Sequence, residues 1–131
     1  PNCRALVSSR SPETVKMLVE SFGSIAQQSG DDAIATHADL VVNATPVGMG
    51  GDTSVAFDPS RLRRATAVLD LVYSRDETPL VRAARSRGLR SADGLSMLVA
   101  QGAAAFEWWF GRAPDLEAMW HATGRERPAP A

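Results

Sequence analysis

The chain has 131 residues, which suits one domain with a genuine core but is short for a two-domain enzyme. It carries 14 basic and 15 acidic side chains, so a formal net charge of -1 gives no overall electrostatic bias toward nucleic acid or an anionic membrane. The apolar runs are far shorter than the roughly 20 residues that span a bilayer, and nothing resembles a signal peptide. We therefore expect a cytoplasmic protein without a membrane or nucleic-acid partner.

The chain offers few ligands for a metal ion. Cys3 is the only cysteine, so neither an internal disulfide nor a multi-thiolate metal site can form. His37 and His121 are the only histidines, and we interpret them as ordinary polar side chains. We expect no metal site.

The amino-terminal part predicts a strand, a turn and a helix. Cys3–Ser8 has the short apolar character of a buried strand, and Ser11 followed by Pro12 supplies a helix cap and a first-turn proline. The helix should begin near Pro12 and end at Gly23. Its apolar face is formed by Val15, Leu18, Val19 and Phe22.

The most informative stretch of the chain follows Asp39. Leu40–Asn43 is an apolar run that breaks abruptly into small polar residues, prolines and glycines up to Met49. Open parallel α/β sheets bind ligands at the carboxyl ends of their strands, so this segment predicts a buried strand that delivers a ligand-contacting turn. Before it, Ala33–Thr36 predicts a short edge strand. After it, a loop contains Gly48, Gly50, Gly51 and Asp52.

The second half of the chain repeats the alternation of strands and helices. Thr66–Val72 predicts another buried strand. Thr78 then caps a helix that has Pro79 at its first position and ends at Gly88. Leu89–Ala92 predicts a further, short strand.

The carboxyl-terminal part predicts a long and a short helix. Asp93 is placed to cap a helix over Gly94–Phe110, and Asp115–His121 forms the short one. One face of the long helix should pack on the sheet: Leu95, Leu98, Val99, Gly102, Phe106 and Trp109. A second line holds Met97, Gln101, Ala104 and Trp108. The tail, residues 125–131, holds two prolines and no apolar pattern, so we expect it to be disordered.

Strands that alternate with helices of about 10 to 15 residues indicate right-handed parallel βαβ units. The predicted fold class is therefore α/β, with a Rossmann-like, doubly wound parallel sheet.

The end of the first strand bears on the choice of cofactor. In dinucleotide-binding folds an acidic residue at the second strand end holds the ribose hydroxyls, whereas arginine and small hydroxyl groups hold a 2′-phosphate. This chain has Ser9, Arg10 and Ser11 there, and the nearest carboxylate, Glu13, lies inside the helix. The pattern favours NADP over NAD, and a solvated arginine beside a serine helix cap is the alternative.

Two further side chains allow two interpretations each. Gln101 is a polar amide within an apolar strip, which is either a contact for a hydroxylated ligand or a surface glutamine. Tyr73 follows the third main strand and is either a ligand-facing phenol or a packing residue.

Four local patterns occur in one order along the chain. They are Ser-Arg-Ser before a helix, Asn43-Ala-Thr-Pro-Val-Gly-Met49, Asp70-Leu-Val-Tyr73 leading to Thr78-Pro-Leu80, and Asp93-Gly-Leu-Ser-Met-Leu98 followed by Gln101. In this combination, from about Leu6 to Gly111, the chain resembles the cofactor-binding half of the shikimate dehydrogenase family. The resemblance implies the NADPH-dependent reduction of 3-dehydroshikimate to shikimate, a step of the chorismate pathway of aromatic amino acid biosynthesis.

The resemblance also implies roles for single residues. The cofactor-binding set is Ser9, Arg10 and Ser11 around the 2′-phosphate, Asn43, Ala44 and Thr45 beside the phosphates and ribose with Met49 close by, and Leu71, Gly94 and Met97 near the nicotinamide. The substrate-binding set is Tyr73 and Gln101.

The resemblance is incomplete at the amino-terminal side. In the family this domain opens with a strand and a glycine-rich turn, and a substrate domain that precedes it supplies the catalytic lysine and aspartate. None of these is present, so the resemblance makes residues 1–124 a partial dinucleotide-binding domain to which we assign no catalytic residue. We expect the 131 residues to be an inactive part of a longer polypeptide, or else that another chain or a rearranged segment takes the place of the missing strand. The missing strand would lie between the strands that end at Ser8 and Asn43, which would leave two unpaired edges.

Other departures keep alternatives open. Thr14 stands where a second basic residue is common in the family, and Arg75 replaces a proline. A dehydrogenase of quinate or another cyclic polyol, and a catalytically silent nucleotide-binding module, are the alternative functions. The oligomeric state is open, with a homodimer as one option.

Overall fold

The computed structural model describes residues 3–23, 25–62 and 67–127. The strands in this part of the chain are β1 (Ala5–Val7), β2 (Ala26–Gln28), β3 (Leu40–Asn43), β4 (Ala67–Asp70) and β5 (Arg90–Asp93). The helices are α1 (Pro12–Phe22), α2 (Asp31–His37), α3 (Pro79–Ser86), α4 (Gly94–Phe110) and α5 (Leu116–Ala122). A short 3-10 helix covers Pro59–Arg61 between β3 and β4.

Four of the helices begin at a side chain that caps them. A side-chain oxygen accepts a hydrogen bond from a first-turn amide at each of these starts, which satisfies a donor that the helix itself leaves free. The capping residues are Ser11, Thr78, Asp93 and Asp115. The predicted starts of α1, α3 and α4 are confirmed.

Every strand pair is parallel, and the strands form two sheets. β1 pairs with β2, and the second sheet has the order β3-β4-β5. α1 connects β1 to β2 and α3 connects β4 to β5, which confirms the predicted α/β class, whereas the described part of the connection from β3 to β4 contains only the 3-10 helix. Within the described residues no strand pairs with both β1 and β3, so the predicted pair of unpaired edges is present.

The main core lies between the three-stranded sheet and α3. Val68 on β4 packs with Leu80 and Ala84 on α3, and all three are at most 2% exposed. A second cluster joins α4 to α5 through Leu95, Val99 and Trp120. The apolar contacts therefore concentrate on the half of the molecule that carries β3, β4 and β5.

The smaller sheet is packed less completely. On α1 only Val15 is buried, whereas Leu18 and Phe22 from the predicted apolar face are 38% and 55% exposed. Leu40 and Val42 on β3 are also more than two fifths exposed. Large apolar side chains are therefore exposed both on α1 and on β3, the strand at the open edge of the larger sheet.

One predicted strand is wrong. Ala33–Thr36 lies inside α2, and the second strand is Ala26–Gln28 instead. Alanine at positions 33 and 35 favours helix, and in the helix that forms the Thr36 hydroxyl donates a hydrogen bond to the Asp32 carbonyl one turn earlier, 2.8 Å away. The strand β2 carries two exposed glutamines and no apolar run, so periodicity gave no signal for it.

Two sequence predictions extend outside the described residues. They concern Thr66 in the predicted strand before β4 and residues 128–131 of the predicted tail. At the start of that tail, the Arg125 guanidinium donates to the Asp93 carboxylate. None of the helices described here combines the length and apolar character that a bilayer crossing requires.

Candidate cofactor site

A cleft of about 490 Å³ opens where β3 and β4 end. Its lining residues come from the turn after β3 and the segment after β4: Ala44, Thr45, Pro46, Met49, Leu71, Val72 and Tyr73. Five predicted site residues are among them, namely Ala44, Thr45, Met49, Leu71 and Tyr73. The cleft lies at the carboxyl ends of parallel strands, which is the edge at which open α/β sheets bind ligands.

The turn after β3 is held by the side chain of Asn43. Its Oδ1 accepts hydrogen bonds from the backbone N–H and the hydroxyl of Thr45, at 3.0 and 2.7 Å. Its Nδ2 donates to the Val47 carbonyl at 3.3 Å. Asn43 is only 3% exposed, so its side chain lies beneath the turn, while Ala44 and Thr45 form the exposed surface.

A fully buried carboxylate lies behind the cleft. Asp70, at the end of β4, accepts from Asn43 Nδ2 at 2.8 Å and from the Val72 N–H at 3.2 Å through Oδ1. Its Oδ2 accepts from the Thr78 hydroxyl at 2.7 Å. Sequence reasoning used Asp70 only as part of a motif and Thr78 only as a helix cap. The missed signal is a charged residue that ends an apolar strand.

The loop that follows the turn is organised by Asp52. Its Oδ2 accepts from the Gly48 N–H at 3.0 Å and its Oδ1 from the Ser54 N–H at 2.9 Å. The Gly48 amide, and after it the hydroxyl and amide of Ser54, hold the pKa of Asp52 below its usual value. Gly48 has φ of +89°, which favours glycine. This loop carries Met49 to the cleft.

The start of α4 packs directly on the end of β4. The Gly94 N–H donates to the Val72 carbonyl at 3.0 Å. A Cβ on Gly94 would stand 2.2 Å from the Leu71 carbonyl oxygen, so no side chain fits there. Glycine is therefore required for α4 to approach the wall of the cleft.

Two predicted site residues lie further along α4. Met97 and Gln101 are exposed and one helical turn apart on the same side of the helix. They are not part of the cleft lining, although they lie on the helix that begins at Gly94.

The predicted phosphate-binding residues stand at the end of β1, in the other sheet. The Ser9 hydroxyl accepts from the Ser11 N–H at 3.2 Å, and Ser11 caps α1 by accepting from the Thr14 N–H at 3.3 Å. Arg10 is exposed and, among the described residues, forms no ion pair. The end of β1 therefore carries an exposed guanidinium, two hydroxyl groups and a helix amino terminus, and the Ser11 hydroxyl also donates to the Glu13 carboxylate at 3.2 Å.

These features define a class of protein, a Rossmann-like α/β protein with its ligand cleft at the carboxyl ends of parallel strands. The family model described as shikimate 5'-dehydrogenase C-terminal domain matches residues 94–122. The chain is 43% identical over 103 residues to the shikimate dehydrogenase (NADP(+)) of Methanocella arvoryzae, a match that covers 77% of this chain and 38% of that protein. For the enzyme of the same name from Gluconobacter oxydans the identity is 40% over 126 residues, with coverages of 88% and 43%.

Solved structures show the same relationship. The crystal structure of shikimate 5-dehydrogenase from Thermus thermophilus in complex with NADP(H) and shikimate matches with a TM-score of 0.78 at 34% identity. This match covers 91% of the present chain and 44% of that one. The chain belongs to the shikimate dehydrogenase family and corresponds to the C-terminal part of its members. It spans about two fifths of the length of these curated relatives.

Proposed function

We propose that the chain is the cofactor-binding portion of an enzyme that reduces 3-dehydroshikimate to shikimate with NADPH. The observation that carries this proposal is the cleft at the ends of β3 and β4, which gathers five of the side chains implied by the family resemblance. The relatives are named as NADP(+) enzymes, and the Thermus thermophilus protein was crystallised with NADP(H) and shikimate.

The residues at the end of β1 fit the distinguishing group of NADP. The 2′-phosphate is an anion with several acceptor oxygens, and an exposed guanidinium, hydroxyl groups and helix-terminal amides are its usual partners. In this proposal Arg10, Ser9 and Ser11 hold that phosphate.

The cleft and α4 would hold the remainder of the cofactor and the substrate. Ala44 and Thr45, supported by Asn43 beneath them, face the phosphates and ribose. Met49 lies close to that turn, Leu71, Gly94 and Met97 lie near the nicotinamide, and Tyr73 and Gln101 contact the substrate. NADPH supplies the hydride, whereas these residues orient the ring and the substrate.

The whole protein would contain further parts. The matched relatives are more than twice the length of the matched region, which supports a preceding substrate domain together with a strand and a glycine-rich turn. We assign proton transfer to that domain. Domain limits at residue 124, a cytoplasmic location and a homodimer stay predictions from the sequence.

The test is a panel of substrates and cofactors on the full-length protein. We expect NADP+ to be reduced with shikimate, and kcat/KM to fall at least about tenfold, or 1.4 kcal/mol, when quinate replaces shikimate or NAD+ replaces NADP+. Faster turnover of quinate would indicate a polyol dehydrogenase instead. Binding of NADP+ without turnover of either substrate would indicate a silent nucleotide-binding module.

A further inference from the structure

Asp70 is an unusual residue for the centre of this molecule. Its carboxylate is 0% exposed, and its described hydrogen-bond partners are the neutral donors Asn43 Nδ2, the Val72 N–H and the Thr78 hydroxyl. A buried carboxylate is costly unless donors surround it, and an apolar residue at such a position is often at least as stabilising. The three donors make the carboxylate tolerable, and they belong to three separate segments.

The carboxylate determines how the amide of Asn43 is oriented. Both carboxyl oxygens of Asp70 act as hydrogen-bond acceptors here, and Asn43 presents its NH2 group to one of them, Oδ1. Asn43 Oδ1 is then turned toward Thr45 and accepts from its N–H and its hydroxyl. With the amide reversed, two acceptors would face each other at Asp70 and two donors at Thr45.

The same carboxylate also holds the opposite wall of the cleft. The Val72 N–H that it accepts from lies between Leu71 and Tyr73, both of which line the cleft. The Thr78 hydroxyl connects the Asp70 carboxylate to the first turn of α3. The oxygen of this hydroxyl also accepts a hydrogen bond from the Val81 N–H at 3.3 Å. One buried group therefore joins both walls.

We propose that Asp70 is a positioning residue for the cofactor cleft, because it fixes the amide of Asn43 and through it the turn at Thr45. It touches neither cofactor nor substrate. The identity of the ligand rests on the proposed function, whereas the arrangement of Asp70, Asn43 and Thr45 is a property of the free protein.

The first test measures amide hydrogen exchange at Thr45 by NMR in the ligand-free full-length protein. We expect exchange at least tenfold faster in Asp70→Ala and in Asn43→Ala, with no further increase in the double variant, because both act through one hydrogen-bonded chain. Should Asp70→Ala fail to fold, Asp70→Ser replaces it with the same expected acceleration, because it shortens the side chain that reaches Asn43 by one heavy atom and keeps a hydroxyl group in the polar site.

Val68→Ala is the matched control for general destabilisation. It removes buried side-chain volume two residues before Asp70, on the same strand, without touching the turn. We expect it to lower the melting temperature but to leave Thr45 exchange within threefold of wild type. Unchanged Thr45 exchange in a folded Asp70→Ala protein, or equal acceleration in Val68→Ala, would overturn the proposal.

The second test measures NADP+ affinity and includes a conservative variant. Asp70→Asn keeps an oxygen for Asn43 and Val72 and places an NH2 group against the Thr78 hydroxyl oxygen. We expect its Kd for NADP+ to stay within threefold of wild type, and that of Asp70→Ala to rise at least tenfold. A wild-type protein that does not bind NADP+ contradicts the proposed function alone, because the exchange experiment still decides the role of Asp70.

Discussion

Arg10 is the residue that we propose to hold the 2′-phosphate of NADP. If its exposed guanidinium holds the 2′-phosphate, Arg10→Ala in the full-length protein should remove one charge-assisted contact worth about 1.5–3 kcal/mol. The Kd for NADPH should then rise about 10- to 150-fold, while that for NADH changes little. Calorimetric titration with both cofactors measures the difference.

Arg90→Ala is the matched control for the loss of a surface charge. Arg90 is also exposed, but it lies at the amino end of β5, the opposite end of the strands from the cleft. Its removal should leave both affinities unchanged. Equal losses for NADPH and NADH in Arg10→Ala would contradict a 2′-phosphate contact.

Asp52 makes the loop beside the cleft sensitive to acid. Hydrogen bonds from Gly48 and Ser54 lower its folded-state pKa below the ordinary value of 3.8. A carboxyl group with a lowered folded pKa stabilises the loop above the unfolded pKa, and this contribution is lost as the pH falls through the folded pKa. In an NMR titration we expect the amide chemical shift of Gly48 to change as Asp52 takes up its proton, below pH 3.8.

Asp52→Asn should abolish this transition at Gly48. Asp58 serves as the internal control, because the hydroxyl and amide of Ser60 lower its pKa in the same way at a separate place. Its titration should be the same in both proteins. A Gly48 shift that still follows pH in the variant would show that another group holds the loop.

The contact between α4 and β4 gives a prediction for a whole element. Gly94→Ala would place a Cβ 2.2 Å from the Leu71 carbonyl oxygen, so α4 must move away from the strand. We expect a loss of about 1–3 kcal/mol in the free energy of unfolding, measured by urea denaturation of the full-length protein.

Gly102→Ala tests the same substitution in the same helix. There the nearest atom to a new Cβ is the flexible end of Met119, at 3.2 Å, and alanine favours the helix by up to about 1 kcal/mol. The variant should be neutral or more stable. If both variants lost the same stability, the close approach at Gly94 would have no special role.

The elements that sequence predicted best are those with local signals. Thr78 with Pro79, and Asp93 alone, specify helix starts through contacts within a few residues, and α4 has the predicted bounds. The strand β2 lacks such a signal because two of its three residues are exposed glutamines.

The candidate site likewise has one part that a local sequence pattern predicts and one part that it does not. The turn at Thr45 was recognisable from its position after an apolar strand. The hydrogen bond from Asn43 to Asp70 joins residues 27 apart in the chain, so it depends on the pairing of β3 with β4 and no local pattern reveals it.

At the scale of the molecule, the two separate sheets predict a further strand. The carbonyls of Asp39 and Asn43 accept from the amides at the start of β4 and just after its end, so by the alternation of a parallel ladder the Val42 amide points toward the unpaired edge. If a strand of the full-length protein pairs there, Val42 and Val41 should be equally protected in amide hydrogen exchange. Fast exchange at Val42 beside a protected Val41 would show that this edge stays open.

The three tryptophans differ in their surroundings at the end of the molecule that carries α4 and α5. Trp108 and Trp109 are 83% and 68% exposed, whereas Trp120 is 8% exposed within the contact between the two helices. The intrinsic fluorescence should therefore contain a red-shifted, acrylamide-quenchable part and a blue-shifted, protected part. Any domain that covers the tip of α4 would shift intensity from the first part to the second, which gives the protein its own optical reporter.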